Sequence, residues 1–128
     1  MPVTLRHPLF HRFALGAFSV AVTAVGVSLI IPADELPPTG LWDKLEHALA
    51  FAGLMIFGTL AFPQRRHLVP LALSLMVFGA IGEVAQIFVP GRSASFADAL
   101  ADAVGIALVA GLSWTARSSL VRPPRPSS

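Results

Sequence analysis

Residues 82–105 read GEVAQIFVPGRSASFADALADAVG and decide how the rest of the chain is interpreted. An apolar segment ends on Glu83 and Gln86, a Pro-Gly-Arg turn follows, and Asp98 and Asp102 open a second apolar segment. A lone carboxylate facing hydrocarbon costs several kcal/mol, so polar groups in membrane helices face the protein interior or a wet cleft. These residues therefore predict a protein-lined site between two membrane helices.

The composition indicates that lipid is the solvent of most of the chain. Apolar residues make up 55% of the 128 residues and charged residues 12%, while soluble domains carry about twice that charged share. The chain has no cysteine, which excludes disulfides, thiolate catalysis and cysteine-ligated metals. Its length fits one domain.

Four apolar segments predict the fold. A helix needs about 20 predominantly apolar residues to cross the hydrocarbon core of a bilayer, and the chain offers four such segments separated by short loops. We expect an all-α fold, a four-helix transmembrane bundle in contact with the lipid bilayer. The expected spans are residues 13–31, 45–62, 68–89 and 97–116, with a basic N-terminus at 1–12 and a disordered basic tail at 117–128.

The first apolar segment has a second interpretation as a cleavable signal peptide. Its uncharged run, residues 13–31, is longer than the apolar core of most signal peptides, and no small-x-small cleavage site precedes Asp34. An uncleaved first span is therefore the prediction. Whether this span packs against the other three or stands apart is left open.

The basic residues set the predicted orientation. Every arginine except Arg92 lies in the N-terminal segment, in the loop at 64–67 or in the C-terminal tail. The positive-inside rule places these three regions, and with them both termini, in the cytoplasm. The formal net charge of +2 comes from these topology-setting residues rather than from a basic surface for nucleic acid, so no nucleic-acid partner is expected.

The opposite ends of the spans then face outward and carry the predicted ligand-binding site. A helix rises about 1.5 Å per residue, which brings His47, Glu83 and Asp102 to a similar shallow depth in three different spans. Acids outnumber bases in the set, so a bound cation or cationic group would bring it closer to neutrality. The set comprises Asp43, Lys44, His47, Glu83, Gln86, Arg92, Asp98 and Asp102.

Three of these residues have an expected role toward a ligand. Arg92 would clamp a phosphate or carboxylate bidentately, Lys44 would add a point charge, and the amide of Gln86 would orient the ligand. The structural alternatives remain open. Asp43 and Asp98 also suit helix caps, with Glu46 at capping-box spacing after Asp43. Lys44 and Arg92 also suit charges at the interface or in an external loop. Interhelical hydrogen bonds are the structural alternative for His47, Glu83 and Gln86. Asp102 lies a full turn deeper than Asp98 and is harder to explain as structural.

The polar motifs follow one another in a fixed order: Asp43-Lys44-x-x-His47, Glu83-x-x-Gln86, Pro90-Gly91-Arg92 and Asp98-x-x-x-Asp102-x-x-Gly105. Over residues 42–111 this order resembles the VanZ-like family of small bacterial membrane proteins. Asp102 departs from the family, which commonly has Asn there, and adds a charge. The resemblance implies an integral membrane protein of the cell envelope, and the family's namesake is associated with resistance to the glycopeptide teicoplanin. It implies no particular reaction.

Three functions are therefore open. The favoured one is binding of a polar ligand or envelope component at the outward site, with an effect on glycopeptide susceptibility by resemblance. The second is a membrane-embedded enzyme acting on a lipid-linked or cell-wall substrate, with Glu83 or His47 as general base. A divalent metal on Asp98, Asp102, Glu83 or His47 would belong to this second function, although no HExxH-type spacing supports it. The third is a structural subunit whose polar groups only fix helix packing. Cofactors and oligomeric state are not predicted.

Overall fold

The computed structural model describes residues 7–119. They form four long helices: α1 over Pro8–Ile30, α2 over Asp43–Ala61, α3 over Leu68–Gln86 and α4 over Phe96–Ser119. Two short 3-10 turns, Ala33–Glu35 and Arg65–His67, lie in the first and second connections. Each long helix lies in a segment long and apolar enough to cross a membrane. The predicted all-α bundle of four membrane helices is confirmed, and the chain is a multi-pass membrane protein.

The two terminal helices extend beyond the predicted spans. α1 begins at Pro8 rather than at residue 13, because His7 Nδ1 accepts a hydrogen bond from the Leu9 amide at 3.3 Å and Pro8 suits a first helical position. α4 begins at Phe96 rather than 97 and runs to Ser119 rather than 116. Arg117, expected in a disordered tail, is therefore helical. The rest of the predicted terminal segments, residues 1–6 and 120–128, lies outside the described residues.

The two central helices also differ from their predicted bounds. α2 begins at Asp43 rather than 45 and ends at Ala61 rather than 62. α3 ends at Gln86 rather than 89, because the amides that follow bond to carbonyls only three residues back. Such bonds tighten the end of a helix, and Pro90 disfavours helical backbone at the residue before it.

The predicted capping box at the start of α2 is wrong. Asp43 is the first helical residue, and Trp42 occupies the cap position without a side-chain cap bond. The Glu46 carboxylate instead accepts a hydrogen bond from the Thr39 hydroxyl in the preceding loop. At the start of α4, the hydroxyl of Ser95 accepts from the Asp98 amide at 3.3 Å, so Asp98 is a first-turn residue rather than the cap.

Close backbone approach joins α2 to α4, the helix pair with the most extensive contact. A Cβ on Gly105 would overlap the carbonyl oxygen of Ala48, so only glycine fits at this crossing. Below it the core is filled by Phe51, Met55 and Ile106, each at most 1% exposed. The α2–α4 pair thus forms the closely packed centre of the bundle.

The first helix packs against the others rather than standing apart. The ring of Phe18 in α1 meets the ring of Phe62, just after α2, edge to face at 5.9 Å. Near the other end of α1, Leu29 lies so close to Gly82 of α3 that a Cβ there would come within 2.6 Å of Leu29 Cδ1. This answers the question that the sequence left open about α1.

Large apolar side chains cover the outer faces of all four helices. Phe13, Val20, Ile81 and Leu112 are 62–75% exposed to the surroundings of the bundle. Soluble proteins rarely expose contiguous apolar surface on this scale. These faces are therefore matched to the lipid bilayer.

Candidate functional site

Polar side chains from three helices meet at one end of the bundle. His47 lies in the first turns of α2, Glu83 lies in the last turn of α3, and Asp98 and Asp102 lie in the first two turns of α4. Each of the four is at most 9% exposed. We call them the polar cluster. The predicted convergence of His47, Glu83 and Asp102 is what the structure shows.

The shortest contact within the polar cluster joins α2 to α4. His47 Nδ1 lies 2.9 Å from Asp102 Oδ1, and the imidazole donates this hydrogen bond in the tautomer that carries its proton on Nδ1. The second carboxylate oxygen, Asp102 Oδ2, faces Gly79 of α3, where a Cβ would come within 2.8 Å of it. The glycine thus makes room for the Asp102 carboxylate between the two helices.

Glu83 approaches the same imidazole from α3. Its Oε2 accepts a hydrogen bond from the Ser95 backbone amide at 2.8 Å, and its Oε1 lies 3.9 Å from His47 Nδ1. Both Glu83 Oε1 and Asp102 Oδ2 are buried without a hydrogen-bond partner among residues 7–119. Buried polar atoms normally have a partner, so two open acceptors beside one imidazole mark this place as a site.

Two charged residues that are more exposed, Lys44 and Asp43, border the polar cluster. Lys44 Nζ forms an ion pair with Asp98 Oδ1 at 3.1 Å, and the Lys44 side chain is 33% exposed. Asp98 Oδ2 lies 3.9 Å from His47 Nε2, the second ring nitrogen. The nearby Asp43 is exposed. The imidazole of His47 therefore has Glu83 and Asp102 near Nδ1, and Asp98, which pairs with the partly exposed Lys44, near Nε2.

A small cleft opens beside His47. It has a volume of about 150 Å³, and its polar lining includes Asp43, His47, Gln86, Arg92 and Asp98. Gln86 is only 2% exposed, and its Nε2 is a donor without a partner in the described part of the chain. The cleft thus brings an unpartnered donor, Gln86 Nε2, together with the imidazole of His47 and the carboxylate of Asp98.

A second cleft, of about 240 Å³, lies between α1 and α2 and shares His47, Asp43 and Arg92 with the first. Its remaining walls include the apolar side chains of Val25 and Leu29. A ligand with both polar and apolar parts would find both surfaces here.

Arg92 has a different partner from the one expected. Its Nε donates to the carbonyl of Ile31 at 3.1 Å and its Nη2 to the carbonyl of Ser28 at 2.8 Å. The last carbonyls of a helix have no donors within the helix, and the guanidinium satisfies two at the end of α1. Arg92 thus clamps α1 and also lines both clefts, and its role toward a ligand stays a prediction.

Two sets of three side chains have the composition and spacing of metal ligands. The first set is His47, Glu83 and Asp102, and the second is Asp43, His47 and Asp98. Within each set the donor atoms lie within 4.8 Å of one another. The first set is entirely buried, whereas Asp43 in the second is exposed. All four sequence candidates for a metal appear in these sets, and Asp43 joins them.

Two contributors to the site were not predicted as members. The Ser95 amide holds Glu83, and Gly79 makes room for Asp102. Gly79 lies one helical turn before Glu83, which is the sequence signal that could have identified it. A backbone amide has no signature of this kind. Of the other predicted residues, four line the small cleft: Asp43, His47, Gln86 and Asp98. The remaining three lie within 4 Å of His47 or Asp98: Lys44, Glu83 and Asp102.

Comparison of the chain with known protein families, curated proteins and solved structures finds no match. The polar cluster is therefore interpreted from its own geometry.

Proposed function

We propose that the chain is a VanZ-like protein of the bacterial cell envelope that binds a polar ligand or envelope component at the polar cluster and alters susceptibility to teicoplanin. One observation supports this proposal above the others. Glu83 Oε1 and Asp102 Oδ2 are buried acceptors without partners in the described chain. Polar groups that only hold helices together would satisfy one another, because an unpaired buried group costs about 1–3 kcal/mol.

The charge of the site indicates what it binds. Glu83, Asp98 and Asp102 are buried acids, and Lys44 is the one lysine or arginine that forms an ion pair with them within residues 7–119. A ligand group that donates hydrogen bonds or carries positive charge would compensate this excess. The open donor at Gln86 Nε2 adds a place for an acceptor on the same ligand. An envelope component bearing amides or hydroxyls satisfies both requirements.

The outward orientation is part of the proposal. With both termini in the cytoplasm, the ends of the helices that carry the polar cluster face the cell exterior, where cell-wall components lie. The basic residues at the opposite end support this orientation, since Arg65 and Arg66 lie in the connection between α2 and α3.

The test is teicoplanin susceptibility in a susceptible bacterial host. The host expresses the unaltered chain, Glu83→Gln, or a matched control, Glu35→Gln, which removes an exposed acid outside the long helices. We expect the unaltered chain and the control to shift the inhibitory concentration, and Glu83→Gln not to shift it at equal abundance in the membrane. An unaltered chain without effect, or a Glu83→Gln chain with full effect, contradicts the proposal. Loss of Glu83→Gln from the membrane would instead indicate a packing role, the third of the open functions.

The His47–Asp102 pair favours a second candidate, a membrane-embedded enzyme acting on a lipid-linked or cell-wall substrate. A carboxylate that holds one ring nitrogen of a histidine orients the other nitrogen for proton transfer, and His47 lines the small cleft. Incubation of the purified chain with a lipid-linked cell-wall precursor tests it. Turnover that His47→Gln abolishes supports the enzyme, and a precursor recovered unchanged from the unaltered chain opposes it.

A further inference from the structure

We propose that His47 Nδ1, Glu83 and Asp102 bind one divalent transition-metal cation, for which Zn²⁺ and Mn²⁺ fit the donor set. The inference rests on the proposed function, since it takes the polar cluster as a binding site and names the positive group that the site accepts. One imidazole and two carboxylates suit these ions. All three side chains are buried and come from different helices, α2, α3 and α4.

The spacing of the donor atoms fits one ion. Zinc ligands lie about 2.0–2.2 Å from the metal, so two ligands of one ion lie roughly 3–4 Å apart. His47 Nδ1 is 2.9 Å from Asp102 Oδ1 and 3.9 Å from Glu83 Oε1. The donor atoms of Glu83 and Asp102 also lie within 4.8 Å of each other, so we expect side-chain adjustment alone to bring all three residues to bonding distance.

The unpartnered oxygens are an independent observation in favour of a cation. Glu83 is 6% exposed and Asp102 is 2% exposed, and each has a buried oxygen without a hydrogen-bond partner in residues 7–119. Burial of two carboxylates in a membrane helix bundle is costly unless a positive charge accompanies them. A divalent ion supplies that charge and takes Glu83 Oε1, an open acceptor, as a ligand.

The other set of three donors is the weaker candidate. Asp43 is exposed, and Asp98 already pairs with Lys44, whose ammonium would repel a cation. Asp98 has a different role when the ion binds at Nδ1. Its Oδ2 lies 3.9 Å from His47 Nε2, and a metal-bound histidine commonly donates its other N–H to a carboxylate. Binding thus moves the imidazole proton to Nε2, facing Asp98, and any further proton is released to solvent.

The experiment measures metal uptake by the full-length chain, purified in detergent without an affinity tag and incubated with Zn²⁺ or with Mn²⁺. Elemental analysis after desalting gives the stoichiometry, and titration calorimetry gives the affinity. The background is His7→Gln/His11→Gln, because two exposed histidines one helical turn apart would offer an adventitious metal site. We expect one equivalent in this background. Loss of a residue that only hydrogen-bonds to a metal-ligating side chain lowers metal affinity by about 10–100-fold. Glu83 and Asp102 are proposed to bind the metal directly, so Glu83→Gln and Asp102→Asn should each weaken binding by more than about 100-fold.

Glu35→Gln, which removes an exposed acid outside the long helices, is the matched control and should keep the affinity within about threefold, since about 0.6 kcal/mol corresponds to that ratio. Uptake of neither ion by the background protein overturns the inference, as does uptake that Asp43→Asn abolishes and Glu83→Gln spares. Thermal melting tests whether each variant is folded, so that lost uptake by a folded variant is attributable to the missing side chain.

Teicoplanin susceptibility is scored separately. A chain that binds metal without affecting susceptibility refutes only the envelope role, and a chain that affects susceptibility without binding metal refutes only the metal site.

Discussion

His47 Nδ1 and Asp102 Oδ1 lie 2.9 Å apart inside the bundle, although the two residues are 55 positions apart in the chain. This contact fixes the register of α2 against α4 at the end where both helices begin. Because one oxygen of Asp102 is engaged and the other is not, the same pair that holds the helices also leaves an acceptor for a ligand. Structure and binding therefore depend on the same side chains.

Gly105→Ala should disrupt the bundle. The added methyl group would overlap the Ala48 carbonyl oxygen, which is backbone and cannot rotate away. We expect a strong fall in thermal stability and a loss of monodispersity in detergent. Gly111→Ala on the same helix is the control, because a Cβ there meets no atom within 4 Å. It should leave stability unchanged or raise it by up to about 1 kcal/mol, as alanine is the better helix former. Equal behaviour of the two variants would refute the close α2–α4 crossing.

Arg92→Gln should loosen α1. The substitution removes hydrogen bonds from a charged donor to the carbonyls of Ser28 and Ile31, and such bonds contribute about 1.5–3 kcal/mol each when buried. Because Arg92 is only half-buried, we expect a total loss near the lower end of that range. Thermal unfolding in detergent measures it, with Arg66→Gln, an exposed arginine at the opposite end, as control. An Arg92→Gln protein as stable as the control would show that the guanidinium does not hold α1.

Lys44→Gln should change stability little. The Lys44–Asp98 pair is partly exposed, and ion pairs near solvent contribute about 0.2–1 kcal/mol. Removal of the ammonium should tighten the binding of cationic ligands at the polar cluster, because a repulsive charge is lost. Thermal melting measures the first effect and metal titration the second. Weaker cation binding by Lys44→Gln would contradict the proposal that the polar cluster binds a positively charged group.

Single cysteines test the orientation, and the chain has no cysteine of its own to interfere. Ser93→Cys lies in the connection next to the polar cluster, and Arg66→Cys lies at the opposite end; both positions are exposed. A membrane-impermeant maleimide should label Ser93→Cys in intact cells and Arg66→Cys only after permeabilisation. The reverse pattern would place the polar cluster on the cytoplasmic side and remove the proposed contact with cell-wall components.

The sequence predicts the helices and the site because both follow from strong local signals. A run of about 20 predominantly apolar residues forms a helix that spans the bilayer. An acid such as Glu83 near the end of such a run faces other protein groups rather than lipid. The gathering of His47, Glu83 and Asp102 follows from depth alone, since short connections leave few ways to arrange four helices. These parts of the prediction rest on the cost of exposing polar groups to lipid.

The failures concern choices between partners of similar energy. The guanidinium of Arg92 donates to the carbonyls of Ser28 and Ile31, and nothing in the sequence indicates these partners. Glu46 bonds to Thr39 rather than to its own helix start, and a backbone amide of Ser95 holds Glu83. Helix ends moved by a few residues for the same reason, because caps and tight turns differ by only about 1 kcal/mol. Long-range packing decides such cases.

The most direct test of the account is the distance between His47 Nδ1 and the Asp102 carboxylate carbon in the protein reconstituted into lipid bilayers. Solid-state NMR of protein labelled with ¹⁵N in histidine and ¹³C in aspartate measures it through dipolar dephasing, with His47→Gln identifying the signal that belongs to His47. We expect strong dephasing, as for two groups joined by one hydrogen bond. An Nδ1 signal of His47 that shows no dephasing would mean that the imidazole and the carboxylate do not meet, and the polar cluster would not exist in the membrane.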